Sequence, residues 1–233
     1  ITTLYGANQS FQRTLGAAEA KLRVIPNGID LEKFDAIRPQ RSDRRPTVAL
    51  IGRVVPIKDI EAYIASAAIV RRAIPDVHVL IIGPTDEDED YHALCRRRVA
   101  ELGLSETVSF TGKVNIVDFL PQIDVLVLTS ISEAQPLVLL EAGAAKIPCV
   151  ATDVGSCREI IEGAPDEHPN LGPGGRIAPP MDADAIGQAI VELMADPTLR
   201  AACGETLRKR VEMYFTSEIS AGRYAALYQE LVA

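Results

Sequence analysis

From residue 47 onward, short unbroken apolar runs alternate with segments of helical period, and no other feature constrains the fold as much. The runs are "TVALIG" (47–52), "VHVLIIG" (77–83), "TVSFTG" (107–112), "DVLVLTS" (124–130), "PCVATD" (148–153) and a weaker "GRIAP" (175–179). A strand with one wet face alternates apolar and polar residues. A run that is apolar throughout is covered on both faces. The segments between the runs, near 58–73, 90–102, 115–121, 136–146 and 156–162, read as the covering helices. Repeats of this kind build βαβ units. The expected fold is therefore α/β: a doubly wound, Rossmann-like parallel sheet of six strands with helices on both faces. Residues 182–231 read as two or three more helices, broken near Asp196-Pro197 and Phe215-Thr216-Ser217. Residues 1–23 read as helical and polar, and Asn27-Gly28 as a tight turn. "RPQRSDRRP" (38–46) reads as a charged, solvated connection.

Composition excludes several functions. The net charge of −8 argues against nucleic acid or an anionic membrane surface as a general partner. Cys95, Cys149, Cys157 and Cys203 form no C-x-x-C pair, and His78, His92 and His168 are scattered. The expectation is reduced, buried thiols in a cytoplasmic protein with no metal site. Every apolar stretch is broken before the ~18 residues of a membrane span. The chain starts without methionine at "ITTLYGANQSFQRTLGA", which reads as part of something longer.

In an open parallel sheet, ligands bind at the carboxyl ends of the strands. Gly52-Arg53, Gly83-Pro84, Gly112-Lys113, Thr129 to Gln135 and Asp153 to Gly155 all fall there. Arg53 leaves the first strand and Lys58 is expected to open the next helix, where its charge opposes the helix dipole. A bound diphosphate would relieve that conflict. Neutralisation of Lys58 by Asp59 or Glu61 is the plainer account, and for this stretch alone it is slightly favoured.

The segment "SEAQPLVLLEAGAAK" (132–146) carries more information. Pro136 suits the first turn of a helix, leaving the amides of Leu137 and Val138 free to face an anion. Glu133 precedes that helix, where a carboxylate also favours the dipole. Glu141 lies among apolar neighbours, and a buried carboxylate without partners is costly. Ribose hydroxyls would satisfy it; so would Lys146 or a backbone amide. The ligand reading is preferred here. "DEDED" (86–90) lacks the spaced oxygens of a calcium loop and reads as an acidic loop leading into a helix, balanced by "CRRR" (95–98). "PNLGPGGR" lacks a P-loop ending, and no G-x-G-x-x-G follows the first strand.

Taken in order, "VIPNGID", G-R-x-x-x-x-K at 52–58, E-x7-E at 133–141 and "ATDVGS" at 151–156 resemble the retaining glycosyltransferases of family GT4, which have the GT-B fold. "SISEAQPLVLLEA" and "VATDVGSCREII" resemble most the branch that makes Pel-type exopolysaccharide. The resemblance spans nearly the whole chain and implies a C-terminal donor-binding domain. By it, Arg53 and Lys58 hold the donor diphosphate, and Gly52 lets the backbone approach. Glu133 faces the donor sugar, with the backbone of Ala134, Gln135, Pro136, Leu137 and Val138 around sugar and phosphates. Glu141 binds the ribose, and Lys113 and Val114 read the base. Arg53, Lys58 and Glu133 are the implied catalytic residues. No cofactor or metal is implied beyond the nucleotide-sugar donor, first expected to be UDP-glucose.

The resemblance also divides the chain. Residues 1–35 would be the tail of an absent N-terminal domain and hinge, 36–215 the Rossmann-like domain, and 216–233 a helix packing toward the absent domain. That domain would supply the acceptor site, for a polysaccharide or other acceptor, so the chain alone should bind nucleotide and transfer little. A membrane-associated synthesis complex is a further implied partner. The family usually carries E-G-F-G where this chain has Glu133-Ala134-Gln135-Pro136, which changes backbone freedom beside the sugar. Competing readings are a nucleotide-sugar epimerase of the same architecture and a non-catalytic nucleotide-binding module. An oxidoreductase is weakest.

Overall fold

A computed structural model describes residues 1–37 and 44–232 of the chain. Most of the expected connection, residues 38–43, lies outside the described residues. The elements, in order, are β1 (Thr2–Thr3), α1 (Gly6–Thr14), β2 (Arg23–Val24), α2 (Glu32–Asp35), β3 (Thr47–Ile51), α3 (Ile60–Ala73), β4 (His78–Ile82), α4 (Glu89–Glu101) and β5 (Val108–Gly112). They continue with β6 (Val125–Leu128), α5 (Leu137–Ala144), β7 (Cys149–Thr152), α6 (Cys157–Glu162), β8 (Gly175–Ala178), α7 (Ala183–Ala195), α8 (Pro197–Tyr214) and α9 (Ser217–Val232).

Six strands form one sheet in the order β5-β4-β3-β6-β7-β8, all parallel. The alternation along each strand explains the unbroken apolar runs. Val48, Leu50, Val79, Ile81, Val125 and Val127 pack on one face with residues of α3, α4 and α7. Ala49, Leu80, Ile82, Leu126 and Leu128 pack on the other with residues of α5, α6 and α8. In the central strands β3, β4, β6 and β7 both faces are covered, which keeps their runs apolar, while the edge strands β5 and β8 admit Ser109, Thr111 and Arg176. The order runs outward from β3 to β5 and then returns to the other side of β3 with β6. The loops leaving β3 and β6 therefore diverge, and this is the switch point where open α/β sheets hold ligands.

Three expectations need correction. Residues 1–23 are not one helix, because Thr2–Thr3 pair in parallel with Arg23–Val24 and α1 occupies only the middle. Gly16 ends α1 in the left-handed region, with Gly16 N donating to Arg13 O and Ala17 N to Gln12 O. The helix expected over 115–121 is two short 3₁₀ turns, Ile116–Asp118 and Leu120–Gln122. Pro121 accounts for this, since it cannot donate within a helix and biases its predecessor away from one. The helix expected from residue 58 starts at Ile60.

Both α4 and α5 close with the same double bond as α1, but differ in the residue at the turn. At α4 it is Gly103; at α5 it is Lys146, whose φ is +60°. Lys146 N donates to Gly143 O and Ile147 N to Ala142 O. A side chain there is strained. Lys146→Gly should therefore stabilise the fold by up to about 1 kcal/mol, read by thermal or denaturant unfolding. The exposed Lys146–Glu205 pair lost in the exchange is worth little.

Candidate functional site

The two loops of the switch point are braced against each other. After β3, residues 52–55 lead into a 3₁₀ turn, Pro56–Lys58, and Asp59 caps α3 by accepting from Ala62 N at 3.2 Å. After β6, Thr129 Oγ1 donates to Lys58 O at 2.7 Å and Ile131 N to Ile57 O at 3.0 Å. Thr152 Oγ1, at the end of β7, donates to Ser130 O at 2.6 Å. Ser156 N donates to Ala134 O at 3.0 Å. Gly155 has φ +55°, and a Cβ there would lie 2.3 Å from Glu133 O, so only glycine lets the β7–α6 loop press on the 133–134 backbone. Similarly, a Cβ on Gly83 would lie 2.0 Å from Gly52 O.

Within this frame Lys58 Nζ lies 2.5 Å from Glu133 Oε1, and Ser130 Oγ donates to the same oxygen at 2.7 Å. The two side chains are 18% and 15% exposed. Neither Asp59 nor Glu61 is the partner of Lys58, and Lys58 precedes α3 rather than opening it. Arg53, on the solvent side, pairs with Glu87 at 2.8 Å. Sequence reasoning assigned no role to Glu87, Ser130 or Thr152. "DEDED" was read only as an acidic loop leading into a helix, and that holds for Asp88, which caps α4.

Pro136 is the N-cap of α5, one position earlier than expected, and Leu137 and Val138 follow. Their amides donate to no group among the described residues. One turn further on, Glu141 is half-buried, and burial alone pushes its carboxyl above the usual range. Among the described residues it has no hydrogen bond or ion pair. Lys146, the internal partner considered above, goes to Glu205 at 2.9 Å instead. Gln135 is buried, and its Oε1 accepts from Asn27 N at 2.7 Å, tying the β6–α5 loop to "PNG". That segment is held on its other side by Ile29 N donating to Phe215 O and Ser217 N to Ile29 O.

The structure therefore brings Gly52, Arg53, Lys58 and 133–138 to one rim. Glu141 lies one turn down α5. Lys113 is exposed and Val114 half-buried where the chain leaves the edge strand β5, and they share no bond with the others. Gly83 N donates to Gly112 O at 3.1 Å and keeps that loop at the same end of the sheet.

Residues 33–210 match the family model for glycosyl transferases group 1. The chain belongs to this family. Among curated relatives, it is 30% identical over 230 residues to the exopolysaccharide phosphotransferase SCO2592 of Streptomyces coelicolor, covering 97% of this chain and 22% of that protein. It is 26% identical over 225 residues to a GDP-mannose-dependent phosphatidylinositol monomannoside mannosyltransferase of Corynebacterium glutamicum, covering 88% and 55%. Among solved structures, it superposes on Anabaena HepE in complex with UDP and glucose with a TM-score of 0.83 at 21% identity, covering 98% and 62%. The chain thus spans less than two thirds of each. For a group 1 glycosyltransferase domain, the rim just described lies where an open α/β sheet takes its ligand. Among the described residues there is no helix long and apolar enough to cross a membrane and no cluster of three or more metal-ligating side chains.

Proposed function

We propose that the chain is the donor-binding part of a retaining hexosyltransferase whose donor is UDP-glucose, acting in exopolysaccharide synthesis and without a divalent metal. The observation that carries the reading is Glu141, a half-buried carboxylate without a partner among the described residues, set one turn behind two amides that donate to none of them, on the rim that holds Arg53 and Lys58. A nucleotide sugar answers each of these groups at once. Ribose hydroxyls would donate to Glu141. The diphosphate would meet the amides of Leu137 and Val138 and the cations of Arg53 and Lys58. The sugar hydroxyls would take over the oxygen of Glu133 that Lys58 now occupies. As the anomeric carbon–oxygen bond breaks, its electron pair goes to the diphosphate, and those cations and amides stabilise the growing negative charge. Transfer itself would belong to a longer protein that also binds the acceptor.

The test is calorimetric titration of the chain with UDP, UDP-glucose, GDP and ADP, with magnesium and with EDTA. Selective uridine binding that survives EDTA is expected. Preference for a guanine or adenine nucleotide, or loss of binding in EDTA, would overturn the donor or the metal-free part of the reading.

The raised carboxyl of Glu141 adds a signed prediction. Its folded pKa lies above its unfolded value, so folding favours the protonated form. The stability this group contributes is present below the unfolded pKa and is lost as pH rises through the folded one. At neutral pH Glu141→Gln should therefore raise unfolding stability, by a fraction of what a fully enclosed carboxylate would give, because solvent reaches part of the group. The same change should weaken UDP binding roughly tenfold, because the charge that penalises the empty fold is what the ribose needs. Thermal melts at pH 4 and pH 7 beside the titration would check both signs.

A further inference from the structure

We infer that Gln135 is a positioning residue for the diphosphate, replacing a helix cap that would block the site; this rests on the donor reading above. A side chain that caps a helix accepts from one of the first amides and takes it out of use. Helices α3, α4, α7 and α8 are capped in this way by Asp59, Asp88, Asp182 and Asp196. Helix α5 is not. Its N-cap is Pro136, whose ring offers no acceptor, and no side chain caps the helix. Serine, aspartate or asparagine at that position would turn an oxygen onto Val138 N or Leu139 N. The open amides have a cost, because helix ends fray. A frayed turn cannot aim two amides at one anion.

Gln135, one residue ahead of Pro136, supplies the missing support from outside the helix. It is 7% exposed. Its Oε1 accepts from Asn27 N at 2.7 Å, and its Nε2 donates to Asn27 O at 3.5 Å. The anchor is itself fixed. Ile25 N donates to Thr3 O at 2.9 Å, and Ile29 exchanges bonds with Phe215 and Ser217. A Cβ on Gly28 would lie 2.0 Å from Thr216 O, so this segment lies flat on the α8–α9 connection. On the other side of the turn Ser156 N holds Ala134 O at 3.0 Å. Between the two grips the ring of Pro136 holds its φ at −75°. The turn is therefore held on both sides without spending the amides of Leu137 and Val138. The Ser156 grip is main chain; the Gln135 grip belongs to a side chain and can be removed by substitution.

Glu141 is held differently. Leu139, Leu140, Ala142 and Ala144 are buried and seat the body of α5 in the core. Gln135 should thus govern the phosphate end of the donor and not the ribose end.

NMR titration of the ¹⁵N-labelled chain with UDP, pyrophosphate and uridine tests this, beside Gln135→Met, Pro136→Ser and Arg210→Lys. Methionine keeps the length of the side chain and loses the amide. Pro136→Ser supplies the cap. Arg210→Lys loosens the fold elsewhere, where the guanidinium pairs with Glu167. In the unaltered chain UDP and pyrophosphate should move the Leu137 and Val138 amide resonances. Gln135→Met should weaken both ligands roughly tenfold and leave uridine unchanged. Pro136→Ser should also weaken both, because its hydroxyl competes for an amide. Arg210→Lys should leave all three affinities in place. Unchanged UDP affinity in Gln135→Met overturns the inference; so does an equal loss of uridine, or an equal loss of UDP in Arg210→Lys. Pyrophosphate binding that responds to Gln135→Met in a chain that does not bind UDP leaves the role of Gln135 standing and removes the donor reading. A chain that binds neither overturns both.

Discussion

Lys58→Met should weaken UDP binding by roughly 10- to 100-fold, the loss expected for charge-assisted bonds to a phosphate. The same change should cost the empty fold about 2 kcal/mol. Glu133, 15% exposed, would lose the ammonium 2.5 Å away and keep only the Ser130 hydroxyl. Breaking one half of an enclosed pair is costly because the other charge remains, and the partial exposure here lowers that figure. The double variant Lys58→Met/Glu133→Gln separates the two effects. It removes both charges, so stability should return to near the starting value while UDP binding stays weak. Urea unfolding and calorimetry on the four proteins complete the cycle. If the double variant bound UDP like the unaltered chain, Lys58 would have no part in holding the diphosphate.

The other large effect lies away from the rim. Arg210→Met should cost roughly 3–5 kcal/mol and lower the melting temperature by roughly 10 °C. Arg210 is 1% exposed. It pairs with Glu167 through two nitrogens and also donates to Ile161 O at 2.8 Å and Gly172 O at 2.6 Å. One guanidinium thus fastens the whole 163–174 loop to α8. Its removal strands a carboxylate whose side chain is 5% exposed, together with two carbonyls. Lys should not rescue it, since a single ammonium cannot reproduce a planar fork aimed at several acceptors. A melting temperature unchanged in Arg210→Lys would show that the fork is dispensable.

The fold was legible because it depends on contrasts the sequence makes sharply. Unbroken runs such as "ALIG" and "VLVL" could only be doubly covered strands, and Asp196-Pro197 could only be a break. Errors arose where tertiary contacts decide. Thr2–Thr3 form a strand only because Arg23–Val24 lie beside them, a partner 21 residues on that local pattern does not reveal. At the site, Glu141 stood out by its cost, a carboxylate among apolar neighbours, whereas Arg53, Lys58 and Glu133 each had a plain surface or dipole account and took their expected roles from the family resemblance. Their resting partners were not legible. Glu87 looked like solvated loop charge, and Glu133 was assigned to a helix dipole or a sugar rather than to Lys58. Pairing across strands 75 residues apart follows from strand order, which periodicity does not supply. Arg210 was missed altogether, because one arginine in a helix of mixed charge looks like surface until the loop folds over it.

The braces joining the strand-end loops bear on how such a domain could change its substrate. Thr129, Thr152, Gly155 and Ser156 fix the course of the backbone before any ligand arrives. The conformational entropy of ordering the loops is thus lost during folding rather than on ligand capture, and affinity need not be spent on it. A scaffold of this kind can exchange the side chains that point into the site, one at a time, without first redesigning the loops that carry them. Divergence in sugar preference would then be a matter of small steps on a constant frame.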